Sequence, residues 1–291
     1  MANPLGSLVT AIKSLLPARL RREKPVVAVV RLAGAIGISS PFKPGLTLAG
    51  CAETLERAFS MRGIKAVALA VNSPGGSPVQ SALIFKRIRA LAAEKELPVY
   101  VFAEDVAASG GYMLACAGDE IYADDSSILG SIGVISAGFG FVEAIGRLGV
   151  ERRVYTTGEN KMILDPFQAE KPGDVERLKA IQAEVHASFK ALVRDRRGTR
   201  LADGDPELFS GAFWAGHKAL ALGLVDGLGD MRAILREKYG DKVRLKLVQQ
   251  PRGWLKSRLG ADVGLPGLGG FAAGDLLAAI EERALWQRFG L

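Results

Sequence analysis

The chain has 291 residues, 48% hydrophobic and 24% charged, with a formal net charge of +7. That length can bury a sizeable core as one large domain or two small ones, and the composition is that of an ordinary soluble globular protein. The bases are spread along the chain without interleaved aromatics, which argues against a nucleic-acid partner, and two histidines, His186 and His217, supply a His-based metal site poorly.

Taken in order, the chain opens on Leu5, Leu8, Val9, Ile12, Leu15 and Leu16 at helical spacing, with Lys13, Arg19, Arg21, Arg22 and Lys24 alongside. Residues 1–24 thus read as an amphipathic basic segment, suited either to peripheral contact with an anionic membrane or to packing on its own domain. Its bases follow its apolar residues, the reverse of a secretory signal, and no run of about 18 uncharged apolar residues marks a membrane span. The expected location is cytoplasmic or peripheral on the inner membrane. Cys51 and Cys116 lie in no CxxC pair, so both are expected as small core residues in a reducing compartment.

Val26–Leu32 reads as a buried strand, Leu48–Met61 as a helix and Ile64–Asn72 as a second strand. The turn Ser73-Pro74-Gly75-Gly76 leads into a helix from about Val79 to Lys95, and Pro98–Ala103 is a further strand. This βαβ order predicts a parallel sheet covered by helices. Gly75 and Gly76 suit both a tight turn and a close approach of backbone to a ligand at the strand's carboxyl end. Glu120–Ala123 and Arg152–Thr156 are expected as strands, and Pro172–Arg194 as a long, solvated charged helix. A short helix is expected from about Trp214, another over Met231–Lys238, and a terminal helix over Asp275–Phe289 capped by Asp275. Composition shifts toward Gly, Pro and Arg after Val248, so the main domain is placed at 25–248, with a Gly-rich tail at 249–291.

Val106–Ala117 (VAASGGYMLACA) places Ser109 where an extended run meets a short apolar helix. Unpaired N–H groups at such a helix start could serve an oxyanion formed beside a serine nucleophile. The same position suits a serine that merely caps the helix, and the stretch alone leaves both readings open.

Four motifs in order, NSPGG at Asn72–Gly76, ASGGY at Ala108–Tyr112, GSIGV at Gly130–Val134 and TGENK ending at Lys161, resemble the signal peptide peptidase A family of serine peptidases. The resemblance covers about Val26–Ile234. It implies an α/β Clp protease/crotonase-like fold, a parallel sheet of repeated ββα units covered by helices. It also implies a Ser/Lys dyad with Ser109 as nucleophile and Lys161 as general base. Ser131 would orient the lysine, and the N–H groups of Gly76 and Gly110 would form the oxyanion hole. A lysine with a pKa near 10.4 serves as a base only when burial disfavours its ammonium. The nearby carboxylates of Glu159 and Asp165 must therefore point away, and Lys171 is a rival base. Two departures from the family pattern stand out: members usually carry an N-terminal membrane anchor where this sequence has only the amphipathic Leu5–Leu16 segment, and Ala212 stands where they typically carry arginine.

The resemblance further implies ring-like homo-oligomers in which serine and lysine can come from neighbouring subunits. The expected function is a serine endopeptidase cleaving short apolar peptides such as signal-peptide remnants, with no cofactor and no metal. Two alternatives are an acyl-CoA hydratase or hydrolase on the same fold and a non-catalytic membrane-associated scaffold.

Overall fold

The hydrophobic runs of the first half assemble one predominantly parallel sheet. In a computed structural model, which describes residues 24–38, 45–202, 204–249 and 273–291, its strands are β1 (Val26–Ala33), β2 (Ile64–Ser73), β3 (Val99–Ala108), β4 (Glu120–Ala123), β5 (Ile128–Gly130), β6 (Phe213–Ala215), β7 (Gly227–Leu228) and β8 (Arg244–Leu247). The main path runs β6-β5-β3-β2-β1-β8, with β4 pairing β3 and β7. All pairings are parallel except β5 with β6. The expected α/β class, a parallel sheet under helices, is therefore what the chain adopts. The amphipathic segment Leu5–Leu16 and most of the Gly-rich tail lie outside the described residues.

The helices are α1 (Leu48–Phe59), α2 (Pro78–Lys95), α3 (Gly110–Ala115), α4 (Val142–Arg147), α5 (Pro172–Arg197), α6 (Gly216–Ala221), α7 (Met231–Tyr239) and α8 (Ala273–Gln287). Local chemistry sets several of their starts. Thr47 accepts from the Gly50 N–H before α1, Ser77 from the Gln80 N–H before α2, and Asp230 from the Arg232 and Ala233 N–H groups before α7. Alternate residues of the central strands face opposite ways. Val30, Leu32, Leu69, Val71 and Val101 join Leu55, Ile84, Ile88 and Leu114 in the main core. On the other face Val27, Val29, Ala68 and Phe102 pack with Leu235 of α7.

Four sequence expectations are corrected. Arg152–Thr156 is not a strand: it runs outside the sheet, where its β-branched and aromatic residues find no ladder to join. The strand expected over Pro98–Ala103 continues to Ala108, through Glu104 and Asp105, because β3 changes partner there. Phe213–Ala215 is strand β6, and the short helix follows it as α6. Asp275 falls inside the first turn of α8, which begins at Ala273. The long helix α5 is mostly solvated, as its alternating charges suggest, but its C-terminal third buries Phe189, Val193 and Arg197 at i, i+4, i+8 spacing.

Arg197 is the largest polar side chain in the core. Its guanidinium, 1% exposed, grips Asp226 with two bonds of 2.8 and 3.1 Å and donates a third to the Gly223 carbonyl at 2.9 Å. Asp226 also accepts from the Ile121 N–H at 2.7 Å, so the pair ties α5 to β4. Both cysteines are free and buried, and burial pushes the Cys116 thiol up to about 12 and the Cys51 thiol up to about 11.

Burial acts to raise the Asp226 pKa, but the hydrogen bonds from Arg197 and Ile121 and the charges of Arg197 and Arg200 outweigh it, leaving the pKa below its ordinary value. The stabilisation is therefore fully present above the unfolded value of about 3.9 and is lost as pH falls through the folded value. Asp226→Ala, which strands the buried guanidinium, is expected to cost about 3–5 kcal/mol. Urea unfolding at pH 7 and pH 3 checks both: the variant should be much weaker at pH 7, and the gap should narrow at pH 3.

Candidate active site

The site is built where β3 ends. Its first half pairs β4 from Tyr100 to Ala103, and its second half pairs β5 from Val106 to Ala108. The register against β2 shifts between Val71 and Ser73, which leaves backbone groups to be satisfied at the irregularity. Asn72 does this with its amide: its oxygen accepts from the Val106 N–H at 3.2 Å while its nitrogen donates to Asp105 at 2.7 Å.

Immediately after this strand Ser109 adopts φ 53° and ψ −122°, a conformation that L-residues rarely occupy and that costs about 1–3 kcal/mol. Its N–H donates to the Gly130 carbonyl at 2.8 Å and its carbonyl accepts from the Met113 N–H at 3.0 Å, so both sides of the corner are held. Ser109 occupies the N-cap position of α3, but its side chain makes no cap hydrogen bond. The capping alternative does not describe this hydroxyl.

Gly75 and Gly76 bring the end of β2 against this corner. A Cβ on Gly75 would stand 2.7 Å from Ser109 Cβ and 2.9 Å from the Gly110 nitrogen, so only glycine permits the approach. Ser109, Gly76 and Gly110 line one cavity of about 380 Å³ together with apolar side chains including Ile36, Met113, Val134 and Phe189. Among the described residues neither the Gly76 N–H nor the Gly110 N–H donates a hydrogen bond. Two backbone donors and one hydroxyl without a partner thus share a mainly apolar hollow, an arrangement suited to attack on a carbonyl and capture of the resulting oxyanion.

Ser131 is buried at φ 51°, its N–H donating to the Ala212 carbonyl at 2.7 Å. Lys161 lies elsewhere, on an exposed turn, and is not among the residues lining the cavity; the single chain does not bring it to Ser109. The nearby acid Asp165 is turned to Arg152 at 3.3 Å. Lys171, at the N-cap of α5, is also exposed and outside the cavity lining. The histidines are engaged elsewhere: His186 meets the Ile132 carbonyl at 3.0 Å, and His217 faces Asp125 at 3.5 Å on the surface. Among the described residues no cluster of acidic, His and Cys side chains could hold a metal ion.

Sequence reasoning did not find two contributions. The role of Asn72 was visible only as a letter of NSPGG, because its task depends on a register shift between strands. Leu285 and Arg288, which also line the cavity, come from α8 and the turn after it, far from every motif.

A parallel α/β sheet that delivers an unpartnered serine and two free N–H groups to one hollow defines a serine-hydrolase-like chain. The model of peptidase family S49 matches residues 92–244, more than half of the sequence. The chain belongs to this family, the grouping to which the signal peptide peptidase A resemblance pointed.

Three relatives illustrate the similarity. A putative signal peptide peptidase SppA of Enterococcus faecium is 34% identical over 58% of this chain and 48% of its own length. A putative protease of Synechocystis is 30% identical over 68% of this chain and 72% of its own. A Brucella abortus protein named as an Na(+)/H(+) antiporter, NhaA, is 56% identical over 96% of this chain but only 39% of its own length. The chain spans less than half of the first and third. Among the described residues no helix is long and apolar enough to cross a membrane.

The Gly75 contact yields a stability test with an internal control. Gly34 has a similar φ, 106° against 102°, but open space where a Cβ would go. Gly34→Ala is expected to cost about 1 kcal/mol, and Gly75→Ala about 1–3 kcal/mol more because of the collision with Ser109. Thermal and urea unfolding of the two variants measure the difference.

Proposed function

We propose that this chain is a serine endopeptidase acting on short apolar peptides, such as signal-peptide remnants. Ser109 is its nucleophile, and Gly76 and Gly110 are its oxyanion donors. The observation that carries this reading is the strained Ser109, its hydroxyl unused by the helix it starts, in the same apolar cavity as those two free N–H groups. Attack by Ser109 Oγ on a scissile carbonyl would place negative charge on the carbonyl oxygen, where two backbone donors already need no reorganisation to meet it. The apolar walls favour apolar peptide segments by burying their side chains.

The base in this reading is Lys161, which takes the Ser109 proton and returns it to the leaving amine, with Ser131 holding the amine. Supporting a base supplied by a neighbouring copy is the placement of Lys161 on an exposed turn of its own chain. From Gly133 to Ser188 no residue is buried, yet Ile135, Phe139, Leu148 and Tyr155 are exposed there. Such a stretch is suited to lie against a second copy in a ring-like assembly, which would cover these side chains and carry Lys161 into a desolvated site.

Ser109→Ala and Lys161→Ala are each expected to reduce peptide cleavage about a thousandfold or more with the fold intact by circular dichroism. If the dyad forms between neighbours, mixed assemblies of the two inactive variants should recover about a quarter of wild-type activity, because that fraction of neighbouring pairs carries both groups. No recovery in verified mixed assemblies would place both groups in one chain. Retained cleavage in the Ser109 variant would remove the nucleophile from the mechanism.

A further inference from the structure

The Ser109 cavity is walled mainly by apolar side chains and glycines, with Ser77, Ser109 and Arg288 as the described polar residues. Among the described residues Arg288 is the only charged one lining it, and none of the described lining residues is acidic. Among the described residues Arg288 has no carboxylate partner; its guanidinium lies 5.8 Å from the Phe289 ring centroid and is otherwise open to solvent. The chain pairs many of its other arginines, including Arg31, Arg87, Arg89, Arg152, Arg196 and Arg197.

The position of Arg288 is set by its neighbour. Phe289 is 6% exposed and packs with Val106 and Ala108, the end of the strand that delivers Ser109. It also meets Phe213 edge-on, with centroids 5.0 Å apart. The turn after α8 is closed by the Phe289 N–H on the Trp286 carbonyl at 2.9 Å and by the Gly290 N–H on Gln287 at 3.1 Å. The anchor of Arg288 and the support of Ser109 are therefore the same strand end, which holds Arg288 at the wall of the cavity that Ser109 also lines.

A lone guanidinium at the wall of an apolar hollow lacks the anion that its planar fork of donors matches best. We infer that Arg288 is a specificity-determining residue that binds a carboxylate of the peptide held at Ser109, so that the site selects apolar segments carrying a free negative charge. The inference rests on the peptidase reading for its ligand class. The carboxylate has two sources, the α-carboxylate of a short peptide or an Asp or Glu side chain close to the scissile bond. An α-carboxylate would make the site selective for fragments already released by an earlier cut.

Equilibrium binding to the Ser109→Ala chain, which holds peptide without turnover, tests this. Three fluorescent peptides share one Leu/Ala-rich sequence: one ends in a free carboxylate, one in an amide, and one in an amide with an Asp added beside the apolar run. At least one carboxylate peptide is expected to bind about three- to tenfold tighter than the neutral amide, and which one identifies the source. Adding Arg288→Ala should abolish the preference without weakening the neutral peptide, and adding Arg288→Lys should restore part of it. Equal binding of all three peptides, a preference that survives Arg288→Ala, or a variant that tightens every peptide alike would each overturn the inference. Cleavage of the same peptides by the chain with Ser109 intact is scored separately, so failure of the peptidase reading and failure of the carboxylate preference give different results.

Discussion

The structure depends on β3 exchanging one neighbour for another halfway along its length. Up to Ala103 it is zipped to β4, and from Val106 to β5, so the chain opens a fork in the sheet with Glu104 and Asp105 at its crotch. Parallel ladders tolerate such a fork only if the backbone groups stranded at the split are satisfied. Asn72 reaches across from β2 to do so. Because the second half of β3 stays registered with β5, the Gly130 carbonyl lies where it accepts the Ser109 N–H. The unfavourable backbone conformation of Ser109 is thus fixed by the ladder on one side and by the first turn of α3 on the other.

A second constraint acts behind the site. The side chains of Arg196 and Arg197 bring the end of α5 against the loops around β4 and β7, through carbonyls of Cys116, Gly118 and Gly223 and the Asp226 carboxylate. The Tyr112 hydroxyl, one turn into α3, donates to the Leu224 carbonyl in the same region. The helix that starts at Ser109 is therefore braced at its far end by a polar network at the edge of the core. An unpaired group in such a network is costly, so it favours one arrangement of these elements over near alternatives.

The sequence makes part of this legible. Runs such as Val26–Leu32 and Ile64–Asn72 are apolar on both faces, as central parallel strands must be, and the glycines of NSPGG and ASGGY mark where backbone passes close to backbone. The candidate residues Ser109, Gly76 and Gly110 fall together because each is tied to a strand end. What stays hidden depends on partners distant in the chain. Glu104 and Asp105 interrupt an apolar run and disguise the continuation of β3, whereas Arg152–Thr156 has the right residues for a strand but no edge beside it. Arg197 sits in a charged run that reads as solvated until Asp226, 29 residues on, is seen beneath it. Phe289 and Arg288 cannot be associated with Ser109 by any motif, since only packing on Val106 and Ala108 brings them there.

The stretch from Gly133 to Ser188, which contains no buried residue, has a thermodynamic consequence of its own. Its own chain gives it little of the apolar burial that orders a polypeptide, so a second copy covering Phe139, Leu148 and Tyr155, as proposed above, would supply that free energy as binding energy. Stabilisation acquired by binding grows with the logarithm of the concentration of the covering species. In the proposed assembly the local stability of this stretch would accordingly be set by mass action rather than by the chain alone, and dilution would loosen it while leaving the sheet beneath Ser109 unaffected.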